Sequence, residues 1–153
     1  MKRIIFLASL FLFAHTFALA QTRKDGDKPD LNRGRTLYTV GYVHLDTQWN
    51  WDIQTTIKDY VWNTLNQNLF LLNQYPDYIF NFEGGVKYAW MKEYYPAQYE
   101  EMKKFIESGR WHISGASWDA TDTLVPSIES AIRNIMLGQN YYRKEFGVES
   151  TDI

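Results

Sequence analysis

The sequence has 153 residues, of which 45% are hydrophobic and 17% aromatic, and its net charge is −2. This length and composition predict one globular domain with a buried core, and they exclude a disordered chain. The sequence contains no cysteine. Disulfide bonds and thiolate chemistry are therefore excluded, and any metal site must use histidine and carboxylate ligands.

The first 20 residues have the pattern of a secretory signal peptide. Lys2 and Arg3 precede an apolar stretch, and the segment ends in the small-residue pattern Ala18-Leu-Ala20. This pattern predicts cleavage before Gln21. The apolar stretch is too short, and too soon followed by charge, to predict a stable membrane span. We therefore expect an exported protein, either periplasmic or secreted.

Export would leave a mildly acidic chain that begins with a flexible arm. Without Lys2 and Arg3 the chain has 14 basic against 18 acidic residues, a net charge of −4. Such a chain is a poor ligand for nucleic acid, whose binding depends on neutralising phosphates. Residues 21–35 are rich in Lys, Asp and Gly and predict a flexible linker. The folded portion is therefore expected over residues 36–153.

A β-branched and aromatic stretch over residues 37–43 predicts the first strand, with His44 and Asp46 at its carboxyl end. Side chains two positions apart on an extended chain point the same way. The imidazole and the carboxylate can therefore converge on a divalent cation such as zinc. Trp49 and Trp51 add flat apolar faces that suit a sugar. On spacing alone, an ordinary surface pair of histidine and carboxylate is the more common arrangement.

The rest of the chain alternates helical and extended patterns. Apolar residues recurring every four positions predict a helix over residues 55–73, and aromatic and β-branched runs predict strands over 78–82 and 110–114. Further helices are predicted on either side of Pro96, over 86–94 and 99–106, and from a Ser127 cap to Gly147. This β-α-β-α-β-α order predicts an α/β fold of parallel βαβ units with right-handed crossovers. Three parallel strands make an incomplete sheet, so we expect a truncated chain.

Four other polar residues lie in or near the predicted strands. A structural role is expected for three of them, and two roles are open for the fourth. Glu83 is expected to be a solvated acid at a helix N-terminus, and His112 a satisfied histidine within or at the edge of the sheet. Asp119 is expected to make loop hydrogen bonds, because aspartate favours turns. For Asp122, a loop role and a role beside a ligand or substrate are equally favoured.

The segment Val40-Gly-Tyr-Val-His44-Leu-Asp46-Thr-Gln-Trp49 resembles the opening His-Ser-His-x-Asp-x-x-Trp motif of glycoside hydrolase family 38, the zinc-dependent retaining α-mannosidases. Tyr42 stands where that motif has its first histidine, and it alternates with His44 along the strand, so it can face the same site. The resemblance continues in family order through five further stretches: Tyr75-Pro-Asp77, Trp90-x-Lys-Glu-x-Tyr-Pro96, Gly109-Arg-Trp111, Gly115-Ala-Ser-Trp118-x-x-x-Asp122 and Glu145-Phe-Gly-Val148.

The resemblance implies that residues 36–153 hold the first three βα units of a seven-stranded α/β barrel, the N-terminal portion of the catalytic domain. It implies that His44 and Asp46 are zinc ligands, that Trp49 stacks on a mannose ring and that Asp122 lies near the substrate. Zinc would hold sugar hydroxyls and would not generate an attacking water. The nucleophile and general acid would lie beyond residue 153. The fragment alone is therefore expected to be inactive and to bind zinc weakly.

Two alternative functions remain open. A non-catalytic carbohydrate-binding module would explain the aromatic content and the missing nucleophile. A metal-dependent enzyme similar to polysaccharide deacetylases would need more histidine ligands than His44 and His112, which are the two in residues 21–153. The ordered motifs favour an α-mannosidase that acts on mannose-containing oligosaccharides or glycoprotein glycans.

Overall fold

The computed structural model of the chain describes residues 34, 37, 40–122 and 124–151. Contacts within the chain separate two units, Met1–Thr39 and Val40–Ile153, and the description below concerns the second. The predicted signal peptide over residues 1–20 and nearly all of the predicted linker over 21–35 lie outside the described residues. No helix among the described residues is long and apolar enough to cross a bilayer.

The first helical region runs without a break from Ile53 to Gln74 but changes its winding. It consists of helix α1 (Ile53–Thr55), a π-helical segment (Thr56–Val61) and helix α2 (Trp62–Gln74). The side chain of Asp52 caps it by accepting a hydrogen bond from the Thr55 amide. The predicted helix over 55–73 is confirmed, whereas the π-helical segment was not predicted.

Two short parallel strands form the sheet of the described residues. Strand β1 (Phe80–Phe82) pairs with strand β2 (Trp111–Ile113), so that Asn81 lies opposite His112. The predicted strands over 78–82 and 110–114 are confirmed in place and direction, although each is two residues shorter than predicted. His112 lies within a strand, as expected.

The predicted first strand over residues 37–43 is wrong in extent. In the described part of that range only Val43 pairs with the sheet, through a single parallel bridge to Phe82. The Val43 amide donates to the Asn81 carbonyl at 3.3 Å, while the Asn81 side-chain amide donates to the Gly41 carbonyl at 2.9 Å. In a regular parallel ladder the backbone amide of Asn81 would donate to the Gly41 carbonyl, whereas here the Asn81 side chain makes that bond.

Three further helices complete the fold: α3 (Gly85–Tyr94), α4 (Pro96–Glu107) and α5 (Ile128–Phe146). Pro96 occupies the first turn of α4, where its missing N–H costs nothing. Ser127 caps α5 through a hydrogen bond from the Ser130 amide, and Gly147 ends it with a left-handed φ of 68°. All three helices were predicted, and the boundaries set by Ser127 and Gly147 are confirmed.

The core lies between the helices and one face of the sheet. Alternate strand residues point into it, and they meet the helices in an aromatic and aliphatic cluster that includes Phe80, Phe82, Trp111, Ile113, Tyr88 and Leu65. His112, whose side chain points to the opposite face, is exposed. The α/β class and the parallel pairing are confirmed. Within the described residues the sheet has two strands and one bridge, so the seven-stranded barrel stays a prediction.

Candidate functional site

His44 and Asp46 lie together at the carboxyl end of the segment that pairs with β1. The bridge at Val43 holds this segment extended, so the side chains two positions apart emerge on the same side. The His44 Nε2 and Asp46 Oδ1 atoms are 3.3 Å apart, and both side chains are about half exposed. The structure therefore brings together the two residues that the sequence proposed as metal ligands.

Glu83 holds the other side of the same imidazole. The Nδ1 of His44 lies 2.8 Å from Oε1 of Glu83, which directly follows β1. The expectation that Glu83 is solvated is wrong, because its side chain is three-quarters buried and bonds across to the neighbouring segment, although it does lie at a helix terminus, directly before the Gly84 cap of α3. When Nδ1 donates its proton to this carboxylate, the lone pair of Nε2 points toward Asp46.

This arrangement fits a bound cation. A lone pair on Nε2 and a carboxylate oxygen 3.3 Å away repel each other unless a proton or a metal ion lies between them. Two donors that each lie about 2.0–2.2 Å from one tetrahedral zinc ion are about 3.3–3.5 Å apart. A histidine that donates its second N–H to a carboxylate is also the usual ligand arrangement. The described residues contain no group of three or more candidate ligand side chains.

Lys87 lies beneath the site and was not singled out from the sequence. Its side chain is completely buried, and its Nζ is 3.8 Å from Oδ1 of Asp119. Burial lowers the pKa of Lys87, while the nearby carboxylates of Asp119, Glu83 and Asp46 oppose that shift. One sequence signal could have revealed it: Lys87 stands four residues before Met91, on the buried face of α3.

Asp119 connects three segments around the site. Its Oδ1 accepts hydrogen bonds from the Thr47 hydroxyl at 2.5 Å and from the Ala120 amide at 2.8 Å. Its backbone forms a pair of bonds with the Asn134 side chain of α5, at 2.9 and 2.8 Å. The prediction that Asp119 makes loop hydrogen bonds is confirmed. These bonds also anchor Thr47, which directly follows Asp46.

The two tryptophans beside the site have different surroundings. Trp49 is 68% exposed. Trp51 instead donates from Nε1 to the Thr56 hydroxyl at 2.8 Å, and its ring packs on Tyr60 with centroids 4.7 Å apart. The Thr56 hydroxyl in turn donates to the Thr47 carbonyl at 2.8 Å. Trp51 therefore holds the loop, and Trp49 presents an aromatic surface to solvent.

Two other residues, Tyr42 and Asp122, were proposed for the site from the sequence. Tyr42 packs edge-on against His44, with ring centroids 6.5 Å apart, so it shares the site as the sequence suggested. Asp122 is exposed and accepts a hydrogen bond from the Leu124 amide at 2.8 Å, the geometry of a local turn. Its role near a substrate stays a prediction.

An open cleft lies next to the imidazole. It has a volume of about 320 Å³, at the lower end of small-molecule sites, and its lining includes Tyr42, His44, Glu83, Gly115, Ser117 and Thr121. Its walls combine an aromatic ring, a carboxylate, hydroxyls and the imidazole with the apolar side chains of Ala116, Ala120 and Ile135. Such a lining suits a small polyhydroxylated ligand.

Comparison with known proteins identifies the family of the chain. The family model described as "Glycosyl hydrolases family 38 N-terminal domain" matches residues 34–153, which include every site residue above. The chain is similar to alpha-mannosidase G of Dictyostelium discoideum, with 32% identity over 116 residues, or 76% of this chain. It is also similar to human alpha-mannosidase 2C1, with 31% identity over 114 residues, or 73% of this chain.

A third relative, alpha-mannosidase of Saccharomyces cerevisiae, is 29% identical over 115 residues, or 74% of this chain. The matched region spans 10–11% of the length of these three relatives. The family match covers more than half of the chain and begins close to the predicted start of the folded portion. The chain therefore belongs to glycosyl hydrolase family 38 and corresponds to the N-terminal domain of that family.

Proposed function

We propose that this chain supplies the metal-binding and sugar-facing part of a zinc-dependent retaining α-mannosidase. Its substrates are terminal α-mannosyl residues of mannose-containing oligosaccharides or glycoprotein glycans. Family membership and the names of the relatives support the reaction class. The observation that carries the proposal is the 3.3 Å approach of His44 Nε2 to Asp46 Oδ1, with the opposite nitrogen held by Glu83.

Each side chain has a defined task in this proposal. His44 and Asp46 would hold zinc, which when bound would supply positive charge to sugar hydroxyls. Glu83 keeps the proton of His44 on Nδ1, so that Nε2 presents its lone pair. The exposed ring of Trp49 packs against the C–H face of the sugar and orients it.

We also propose that the remaining catalytic groups come from sequence outside residues 1–153, within a seven-stranded barrel of which this chain forms the first units. A retaining glycosidase needs a nucleophile and an acid whose carboxyl groups are about 5–5.5 Å apart. Each carboxylate described above already has a partner: Asp46 and Glu83 face His44, Asp119 bonds Thr47 and Ala120, and Asp122 bonds the Leu124 amide. Residues 1–153 alone are accordingly expected to give no turnover.

The test uses the complete gene product and release of an aryl group from an α-mannoside. Hydrolysis should stop after chelation and return with added zinc. His44→Ala and Asp46→Asn should each weaken zinc binding by more than about 100-fold, because even outer-shell changes cost about 10–100-fold. Asp77→Asn, the same chemical change at an exposed turn, is the matched control. Turnover that survives full zinc removal would contradict the proposal, and sugar binding without turnover would favour the carbohydrate-binding alternative.

A further inference from the structure

Lys87 is a charged side chain placed where a charge is costly. Its side chain has no exposed surface, and no hydrogen-bond partner for its Nζ is present among the described residues. Removing an ammonium from water without full compensation costs several kcal/mol in real proteins, on the order of the net stability of a small domain. Burial lowers its pKa, so the fold as a whole disfavours its charged form. Stability therefore does not explain why a lysine is present.

The surrounding backbone makes room for this ammonium. Gly84 precedes α3 with a φ of 90°, a conformation that side chains rarely adopt. A Cβ at Gly84 would lie 2.8 Å from the Lys87 Nζ. The absence of a side chain at Gly84 thus leaves space for the ammonium at the base of the site.

The ammonium faces the residue that anchors the metal-binding segment. The Asp119 Oδ1 that lies 3.8 Å from Lys87 Nζ is the same atom that accepts the 2.5 Å hydrogen bond from Thr47. Thr47 directly follows Asp46. A series of contacts therefore connects Lys87, through Asp119 and Thr47, to the segment that carries Asp46.

We propose that Lys87 is a positioning residue, whose buried ammonium holds the Asp119 carboxylate so that Asp119 and Thr47 keep His44 and Asp46 in their ligand geometry. This inference rests on the proposed metal site. It assigns to Lys87 a role through Asp119 and Thr47, without contact with the metal or the sugar.

The test compares variants of the complete gene product. Lys87→Met keeps most of the length of the side chain and removes its charge, and Thr47→Val keeps the shape of the side chain and removes its hydroxyl. Lys92→Met is the matched control, because Lys92 lies on the same helix but pairs at 2.6 Å with Glu145, away from the site. Zinc affinity is measured by competition with a chelator. Hydrogen exchange of residues 44–52 is measured on the metal-free proteins.

A positioning role predicts that Lys87→Met and Thr47→Val each lower zinc affinity about 10–100-fold, the usual effect of outer-shell changes. Both should also speed exchange over residues 44–52, and their combination should cost little more than the larger single effect. The melting temperature of each variant shows that it folds, and a positioning role fixes no sign for it in Lys87→Met, because removing a buried charge stabilises the protein while leaving Asp119 without its cation destabilises it. Lys92→Met should change neither zinc affinity nor exchange over 44–52.

Two results would overturn the inference. A rise in zinc affinity in Lys87→Met would indicate simple repulsion between the ammonium and the metal, and unchanged affinity and exchange would indicate no link to the site. If Lys87→Met does not fold, Thr47→Val decides by the same two measurements. A wild-type protein that takes up no zinc would refute the proposed function. The hydrogen-exchange data on the metal-free proteins would still decide whether Lys87 orders residues 44–52.

Discussion

At the scale of single residues, the chemistry of the site depends on how the two nitrogens of His44 are divided between two carboxylates. Nδ1 lies 2.8 Å from Glu83 and Nε2 lies 3.3 Å from Asp46. The shorter contact has the geometry of a strong, charge-assisted hydrogen bond, whereas the longer one has the spacing of two ligands around one ion. The difference supports the proposal that Glu83 orients the imidazole and that Asp46 binds the metal.

Trp49 and Trp51 provide a test of sugar stacking at this scale. Trp49→Ala in the complete gene product should lower kcat/KM for an α-mannoside about tenfold, if stacking contributes about 1.4 kcal/mol. It should barely change stability, because the ring is 68% exposed. Trp49→Phe should retain most activity. Trp51→Ala should instead lower the melting temperature, because it removes a hydrogen bond and the contact with Tyr60. Equal kinetic effects of Trp49→Ala and Trp49→Phe would argue against stacking.

At the scale of elements, the loop after β2 is clamped between the start of α3 and the middle of α5. The first two amides of α3 donate to the carbonyls of Ser117 and Trp118, at 3.2 and 2.9 Å. On the other side, the Trp118 amide donates to the Asn134 carbonyl at 2.9 Å. The same loop continues into Asp119, so the packing of α5 fixes one wall of the site.

Gly138 permits this close approach of α5 to the loop. A Cβ at this position would overlap the backbone of Ala116 and Ser117 and would lie 2.6 Å from the Trp118 nitrogen. Gly138→Ala gains about 1 kcal/mol of helix propensity, but overpacking against backbone costs about 1–3 kcal/mol. We expect net destabilisation by chemical denaturation. Asn140→Ala, at an exposed position on α5, should stay within about 0.5 kcal/mol of wild type. A stabilised Gly138→Ala would contradict this packing.

Glu145 should make acid stability depend on the contact between α3 and α5. Its hydrogen bond from Lys92 at 2.6 Å holds the pKa of Glu145 below its ordinary value of 4.5. A carboxyl with a lowered folded pKa stabilises the protein above its unfolded pKa, and this contribution is lost as pH falls through the folded pKa. Glu145→Gln should therefore cost about 1 kcal/mol at neutral pH, and the difference from wild type should shrink below about pH 4.5.

The matched control for Glu145 is Glu129→Gln on the same helix. Glu129 pairs with Arg133 at 2.8 Å, but both side chains are more than 70% exposed. Exposed pairs of this kind contribute little to stability. A pH dependence as large in the Glu129 variant as in the Glu145 variant would show that burial of Glu145 is not the cause.

At the scale of the whole molecule, we propose that the protein is exported and that residues 1–20 are removed. Expression in a bacterial host should place the product in the periplasm or medium, and its N-terminal sequence should begin at Gln21. Replacing Lys2 and Arg3 with Glu should retain the protein in the cytoplasm, because the positive n-region is lost. A mature protein that retains residues 1–20 would indicate an uncleaved anchor instead.

The elements that the sequence predicted well are those set by local chemistry. Ser127, Gly147 and Pro96 act through their own backbone or side-chain geometry, so the ends of α5 and the break between α3 and α4 could be read from the chain, although α4 begins at Pro96 and was predicted from residue 99. The π-helical segment could not be predicted from the sequence. Its residue Thr56 bonds the Thr47 carbonyl nine positions earlier, and no helical periodicity encodes that contact.

The same distinction applies to the site. His44 and Asp46 belong to one extended segment, so their convergence follows from its two-residue period. Glu83 and Lys87 reach the site from β1 and α3, and their placement depends on strand register and burial across the fold. The spacing of Lys87 to Met91 indicates the buried face of α3, but neither composition nor spacing indicates that Glu83 and Lys87 meet His44 and Asp119. The first strand was overestimated for a related reason, because β propensity does not report whether a neighbouring backbone is available to pair.

The burial of Trp111 gives the protein an internal optical reference. Its indole is 1% exposed, packs edge-on against Phe80 at 4.7 Å and donates to the Tyr88 hydroxyl at 3.0 Å. Dissolved iodide cannot reach such a ring, whereas it can reach the ring of Trp49, and an indole in water emits at longer wavelength than one in an apolar core. A sugar that covers Trp49 would therefore protect part of the red fluorescence and leave the emission of Trp111 unchanged, so stacking on Trp49 could be followed in unlabelled protein.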